Sequence, residues 1–568
     1  MDQGLDTGCF EMRRRPDLTP ALLAGVPLVF LALFYFYPLL EIFSVSLTLG
    51  GRWDLGNLAE VFTTSYTLRI LWFTAWQAAL STILTVALAL PAAYVFARYR
   101  FPGKSLIQSL TAVPFVLPSV VVAAAFSALL GPRGLVNEWL MGFPGINAPP
   151  IRLEHTLAFI LMAHVFYNFT VVLRIVGGFW SRIPPDLTNA AQVLGASPWK
   201  AFWKITFPLL RPSIMAAALL VFIFCFSSFG VILILGGPRY ATIEVAIYRE
   251  AMHLFNLPLA AALSLLQICF MFAFMWVYTR LQRKTSVELP GATSRDCARE
   301  VSTRSEKIAV WSVVTLTLVL LGSPLLALAA RSLSTETGLS LLYYRALFEN
   351  TGQSIFYIPP VAAVGYSVGF ALAALAMSLC IAVPAAIFLS RNRGKATSLL
   401  DPLFMLPLAT SSVTLGFGYI IALGKPPLDL RSSILIVPLA HTLVAYPFVV
   451  RSLLPALRSI PASLRESAVL LGAAPRKVWW NVLFPLVRKP LVVGSVFAFT
   501  VSLGEFGATV FLARPELPTM PLAIYRFLGR PGALNYGQAM AMSTLLMLVT
   551  AAGFLLLERL RTSAHGEF

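Results

Sequence analysis

The chain has 568 residues, of which 58% are hydrophobic and 12% charged, with a mean hydropathy of +0.78 and a formal net charge of +18. Soluble proteins average about 45–50% apolar and 25% charged residues, so an excess of this size can be hidden only in lipid, and disordered, collagen-like and disulfide-stapled architectures are excluded. The positive charge would suggest nucleic acid in a soluble protein, but no basic patch interleaved with aromatic residues accompanies it, and no nucleic-acid partner is expected.

Apolar stretches able to cross a bilayer run at about 20–46, 68–97, 106–131, 155–180, 212–236, 257–280, 307–330, 361–390, 398–424, 432–457, 489–513 and 537–558. Each meets the need of about 20 apolar residues for a spanning helix. The expected fold is therefore all-α and polytopic, with about twelve transmembrane helices in two sets of six and membrane lipid around them. The first stretch follows Arg13-Arg14-Arg15, as a secretory signal would. It is too long for such a signal and no small-residue cleavage site closes it, so it reads as an uncleaved helix. The five cysteines (Cys9, Cys225, Cys269, Cys297, Cys380) show no C-x-x-C spacing and read as small apolar residues.

Lys and Arg collect in alternate loops: Arg98, Arg100, Lys104, Arg174, Arg182, Lys200, Lys204, Arg211, the 280–307 run and their second-half counterparts share one side with the amino terminus. Acidic residues divide almost evenly. Because the orientation rule counts Lys and Arg rather than net charge, that side and both termini are expected in the cytoplasm, with the protein in a cell's inner membrane.

An internal repeat organises the chain. The segment from Asn189 to Pro208, with Gly195-Ala196 and Lys200, matches that from Glu466 to Pro485, with Gly472-Ala473 and Lys477, at an offset of 277 residues. The same offset pairs His164 with His441, Phe229-Gly230 with Phe506-Gly507, and Ile247-Tyr248-Arg249 with Ile524-Tyr525-Arg526. Upstream the offset is 293, pairing Pro91 with Pro384 and Pro114 with Pro407. The first half therefore carries about 16 extra residues, most simply in the 131–154 loop. An even number of spans per half gives both halves one orientation, the parallel kind of transporter repeat. The halves are expected at residues 1–280 and 307–568, joined by a polar cytoplasmic linker at 281–306.

The best-matched segments are water-facing loops on the basic side. Lipid-facing helices need only be apolar, so a fixed spacing of Gly, Ala, Pro, Lys and Trp in two loops points to a protein contact. Short helices are expected at Asn189–Leu194 and Pro198–Phe207, with a tight turn at Gly195-Ala196 and a stop at Pro208. The pattern resembles the EAA loop of ATP-binding-cassette (ABC) importer permeases: E-A-A, three residues, G, nine residues, I, one residue, L-P. In this sequence Asn189, Ala190, Ala191, Gly195, Ala196 and Pro208 occupy the motif in the first copy. Glu466, Ser467, Ala468, Gly472, Ala473 and Pro485 occupy it in the second. Departures are Asn189 and Phe207 in the first copy, and Ser467, Val482 and Phe484 in the second. The likeness is strongest to fused permeases of the thiamine and ferric-iron type. It is carried also by Trp76-Gln-Ala-Ala-Leu-Ser81, Arg100-Phe-Pro-Gly103, Ala163-His-Val-Phe-Tyr-Asn168 and Leu235-Gly-Gly-Pro-Arg-Tyr-Ala-Thr-Ile-Glu-Val-Ala-Ile-Tyr248.

The resemblance implies a type I importer permease in which each EAA loop docks into one of two ATPase subunits inside and a substrate-binding protein docks outside. Thiamine or its phosphates is the leading substrate and ferric iron the alternative. Gly103-Lys104-Ser105 is no phosphate-binding loop, since Arg98 stands where the earlier glycine belongs and no strand precedes it. The chain is therefore expected to be a transport subunit with no catalytic, metal or cofactor site of its own, ATP and Mg being handled by the partners. A gradient-driven carrier, the rival reading, has no ATPase for two matched loops to engage.

Ionisable and polar groups at membrane depth mark candidate pathway residues. Glu505 with Phe506 and the matching Ser228 with Phe229 fall in spans eleven and five. His164, with Asn168 one turn on, and His441 fall in spans four and ten. Pro27, Pro91, Pro114, Pro118, Pro384, Pro407 and Pro447 are expected to interrupt helices near the path.

Overall fold

The computed structural model of the protein describes residues 18–49, 52–285, 298–335, 338–349, 358–391, 395–426 and 428–564. The 13–15 arginine run and linker residues 286–297 lie outside the described residues. Among the described residues, eleven helices are long and apolar enough to cross a bilayer: Leu23–Leu47, Ser65–Arg98, Ser119–Met141, Leu157–Trp180, Pro198–Phe226, Leu257–Leu281, Arg304–Leu333, Ala362–Arg391, Ile436–Ser459, Arg476–Gly504 and Ala533–Leu556. The ninth span of the expected twelve is a pair, Leu400–Ala409 and Ser412–Ala422, bent by 96°. The structure is thus the all-helical, twelve-span architecture the hydropathy predicts, and the spans are numbered one to twelve below.

Helix breaks repeat between the halves. In span three the chain runs as Lys104–Thr111, Val113–Val116 and Ser119–Leu130. Leu117, preceding Pro118, is extended at ψ 141°, as a residue before proline is pushed to be. Span nine breaks at the matching place, through a tight turn at Leu406–Ala409 and an extended Thr410-Ser411. Spans five and eleven, expected as unbroken stretches at 212–236 and 489–513, instead end at Phe226 and Gly504. Short helices Gly230–Leu235 and Thr509–Leu512 follow. A Cβ on Gly230 would meet the Ser119 side chain and the Phe506 ring, and one on Gly507 would meet Ser412 and Val413. Each break is thereby seated against the last segment of span three or nine.

The proline expectation holds only in part. Pro27, Pro91, Pro384 and Pro447 lie inside unbroken helices, and only Pro114, Pro118 and Pro407 fall at breaks. Neighbouring helices and hydroxyls satisfy the single carbonyl a proline leaves free, so a spanning helix tolerates it.

The first span of each half packs against the other half. Span one lies along span eight, with the Tyr35 hydroxyl 2.7 Å from Thr410 Oγ1, and span seven lies along the Ser119–Leu130 segment of span three. The end of the linker is also seated: Arg299-Glu300 forms a parallel two-residue pairing with Tyr99-Arg100. There Arg299 donates to the Tyr99 hydroxyl at 2.7 Å and pairs with Glu306 at 2.6 Å. Thr303 and Glu306 make a capping box that starts span seven at Arg304.

Candidate docking loops and translocation pathway

The repeated loops form two matching knobs. The helices are Asp186–Val193 and Ala462–Leu470, each starting earlier than the motif suggests. Each ends in a glycine in the left-handed region, Gly195 at φ +87° and Gly472 at φ +79°. The Gly195 and Ala196 amides donate to the Gln192 and Ala191 carbonyls, and the Gly472 and Ala473 amides to those of Val469 and Ala468. This is the Schellman pattern, which glycine adopts without a Cβ penalty. Nothing lies within 4 Å of a Cβ built on either glycine. The turn lifts apolar side chains into solvent: Val193 is 87% exposed, and Leu194, Leu470 and Leu471 are each 88% exposed. Asn189, Ala190, Glu466 and Ser467 are also exposed, with Ala191 and Ala468 half-buried beneath them.

Beyond the turn, Ser197 caps the Lys200 amide and the chain re-enters a helix at Pro198–Ala201. Pro208 does not stop this helix, contrary to expectation. Its ring and missing N–H are accommodated by a π-helical turn at Phe202–Thr206, after which span five continues as Phe207–Phe226. Pro485 does the same after a π turn at Trp479–Leu483.

The polar residues sequence reasoning singled out are brought to the two breaks. His164 Nδ1 is 2.9 Å from Ser81 Oγ and its Nε2 is 2.9 Å from Ser228 Oγ. Asn168 donates to the His164 carbonyl at 3.0 Å and to Cys225 Sγ at 3.4 Å. In the second half His441 Nδ1 is 2.9 Å from Ser502 Oγ and its Nε2 is 2.8 Å from Thr509 Oγ1. Each histidine is thus held between two hydroxyls, supplied by different elements in the two halves. Glu505 stands at the break itself. Its Oε1 accepts the Ala508 amide at 3.1 Å. Its Oε2 accepts the Thr509 amide at 3.1 Å and the Thr509 hydroxyl at 3.0 Å, and lies 3.6 Å from His441 Nε2. The carboxylate therefore caps the Thr509–Leu512 helix, satisfying amides that would otherwise be orphaned at membrane depth.

Phe229 and Phe506, the matching residues of the two breaks, stack across the seam between halves with ring centroids 5.5 Å apart and planes 27° apart. Phe229 packs edge-on to Tyr248 at 5.6 Å and Phe506 against Tyr525 at 5.4 Å. Tyr248 and Tyr525, also repeat partners, hydrogen-bond to each other. Four rings from two repeated motifs thus close on one another where the halves meet. Sequence reasoning named the two phenylalanines and missed both tyrosines, although the repeated Ile-Tyr-Arg triplet carried the signal.

Comparison with known proteins bears on both regions. The family profile of the binding-protein-dependent transport system inner membrane component matches twice, at residues 86–287 and 382–562, once in each half. The thiamine transport system permease protein of Brucella suis is 28% identical over 525 residues, covering 91% of this chain and 92% of that one. Its Escherichia coli counterpart is 29% identical over 485 residues, covering 83% and 85%. The ferric transport system permease protein of Actinobacillus pleuropneumoniae is 25% identical over 547 residues, covering 94% and 76%. With twelve spans, two matched halves and a profile match across most of the chain, this protein belongs to the family of binding-protein-dependent transport system inner membrane components.

Proposed function

We propose that the chain is the fused permease of an ATP-driven importer for thiamine or its phosphates, the two halves (1–280 and 307–568) standing in for a permease dimer. The observation that carries this reading is the likeness to thiamine permeases along nine-tenths of the chain's length. The weaker ferric-permease likeness supports iron as the second reading. On this reading each exposed knob, Val193-Leu194 and Leu470-Leu471, enters a groove of one ATPase subunit on the cytoplasmic side, where both termini also lie. A substrate-binding protein delivers cargo to the opposite face. ATP and Mg belong to the ATPase subunits, and this chain contributes the path and the transmission of movement.

The ring cluster of Phe229, Tyr248, Phe506 and Tyr525 acts as the closed gate, and the breaks at Ser227–Phe229 and Glu505–Ala508 are the joints about which it opens. Thiamine carries a fixed positive charge on its thiazolium ring, and aromatic faces attract such a cation by about 0.5–2 kcal/mol. The decisive experiment is uptake of labelled thiamine and of ferric iron by membrane vesicles holding the chain with its co-purifying ATPase and binding protein. ATP-dependent thiamine uptake is expected. Iron uptake without thiamine uptake would select the second reading, and a chain that purifies with no ATPase would refute both.

A further inference from the structure

Glu244 lies in the Ile243–Met252 helix between spans five and six, outside every apolar span, and is only 2% exposed. None of the ion pairs among the described residues includes it. Gln267 of span six donates its Nε2 to Glu244 Oε1 at 3.2 Å, and the Ser411 hydroxyl bonds to the same carboxyl. Ser411 belongs to the other half, where it caps the second segment of span nine through the Val413 amide. The carboxyl therefore sits on the seam, held from both sides.

The surroundings hold more polar capacity than the closed seam uses. Gln267 Oε1 and the hydroxyl of Thr414, one helical turn beyond Ser411, are fully buried and have no hydrogen-bond partner. A buried polar atom left unpaired is a standing cost that another state of the site can relieve. Tyr248, one turn along the helix from Glu244, is the ring that joins the gate. It packs edge-on to Phe511 at 5.6 Å, which in turn packs on Phe417 of span nine at 6.5 Å. The arrangement is one-sided, since the repeat places Pro521 opposite Glu244 and Thr544 opposite Gln267.

We infer that Glu244 is the station that holds the cationic group of the translocated substrate. As the Ile243–Met252 helix parts from span nine, it offers its carboxylate together with Gln267 Oε1, the Thr414 hydroxyl and the faces of Tyr248 and Phe511. Burial pushes the carboxyl up to about 8 in the closed seam, with the Ser411 and Gln267 hydrogen bonds pulling it back down. At neutral pH the closed seam thus shelters a protonated acid, and opening to water lowers its affinity for the proton and frees a carboxylate for the cargo. Closing reverses the exchange and expels the cation. The inference rests on the proposed function only in requiring a cargo with a cationic group.

The test is thiamine uptake by the complex reconstituted in vesicles, comparing wild type with Glu244→Gln and Glu244→Asp. Gln is nearly isosteric and can keep the contacts to Gln267 and Ser411, so a purely structural carboxyl would be replaced with little loss. The expected result is at least a tenfold fall in uptake for Glu244→Gln, partial recovery for Glu244→Asp, and recovery of both variants in wild-type yield with partner subunits attached. Wild-type uptake by Glu244→Gln overturns the inference. If the wild-type complex carries no thiamine, the functional reading fails on its own. The inference then survives only if the true cargo bears a cationic group and Glu244→Gln also abolishes its uptake, and a cargo without a cationic group overturns it.

Discussion

Replacing Leu471 with alanine separates a docking knob from a helix resting on lipid. In the chain alone Leu471 is 88% exposed, so its truncation removes almost no buried surface and leaves the Gly472 turn intact. Its cost appears only in a complex that shelters it. Removing three buried carbons at about 0.8 kcal/mol each leaves a loss of about 2 kcal/mol, or roughly thirty-fold in dissociation constant. The same holds for Leu194 in the first loop. The assay is retention of ATPase subunits on the immobilised permease in mild detergent, read as dissociation constants for wild type, Leu471→Ala, Leu194→Ala and the double variant. A thirty-fold weakening for each single variant, with unchanged thermal stability of the permease alone, is expected. Wild-type affinity in both single variants would refute the reasoning, because a side chain buried at a protein contact cannot be cut back without loss.

Glu505→Gln should lower the thermal stability of the permease as well as uptake. The amide presents an NH2 group to the Ala508 or Thr509 amide, leaving a buried donor unsatisfied at about 1–3 kcal/mol, and unfolding in detergent reads this directly. Gly507→Ala should be destabilising by about 1–3 kcal/mol, since the added methyl collides with Ser412. Gly195→Ala meets no neighbour, but it puts a Cβ on a left-handed residue at φ +87° and should weaken the loop turn by about 1–2 kcal/mol. Cysteines placed at Lys200 and Lys477 should resist an impermeant thiol reagent applied to intact cells, while those at Arg133 and Arg239 react. Labelling at Lys200 from outside would reverse the orientation. Phe506→Ala should open the ring cluster and let vesicles holding the permease leak labelled thiamine without ATP, while tight vesicles would argue against a gate there.

Much of this architecture is written in hydropathy and in the repeat. The twelve apolar stretches, the matched loops and the pairing of Phe229 with Phe506 all follow from spacing alone. What spacing hides is where a helix breaks inside an apolar run. Residues 212–236 and 489–513 are mostly apolar, and the few polar residues in them do not break a helix by themselves, so periodicity does not mark the turns after Phe226 and Gly504; those turns arise from seating Gly230 and Gly507 against Ser119 and Ser412, a contact between distant residues. Glu505 illustrates a related limit, because a carboxylate capping a short helix and one facing a path look alike in sequence. Glu244 escaped for the opposite reason. It falls in a segment between spans, where charge is ordinary, and only its neighbours Ile243, Val245, Ala246 and Ile247 hint that it is buried.

The exchange of first spans means that the covalent linker is not what keeps the halves together, because span one already grips span eight and span seven grips span three. Cutting the chain between them should leave a stable pair. What fusion secures is inequality. In a dimer of identical chains every group near the axis appears twice, and two carboxylates facing each other across a dry seam would repel or share a proton. Here Glu244 faces a half that has proline at its place, and Glu505 matches Ser228. A single chain can therefore carry one acid in each half at unmatched positions, an asymmetry about the axis that two identical halves could not have.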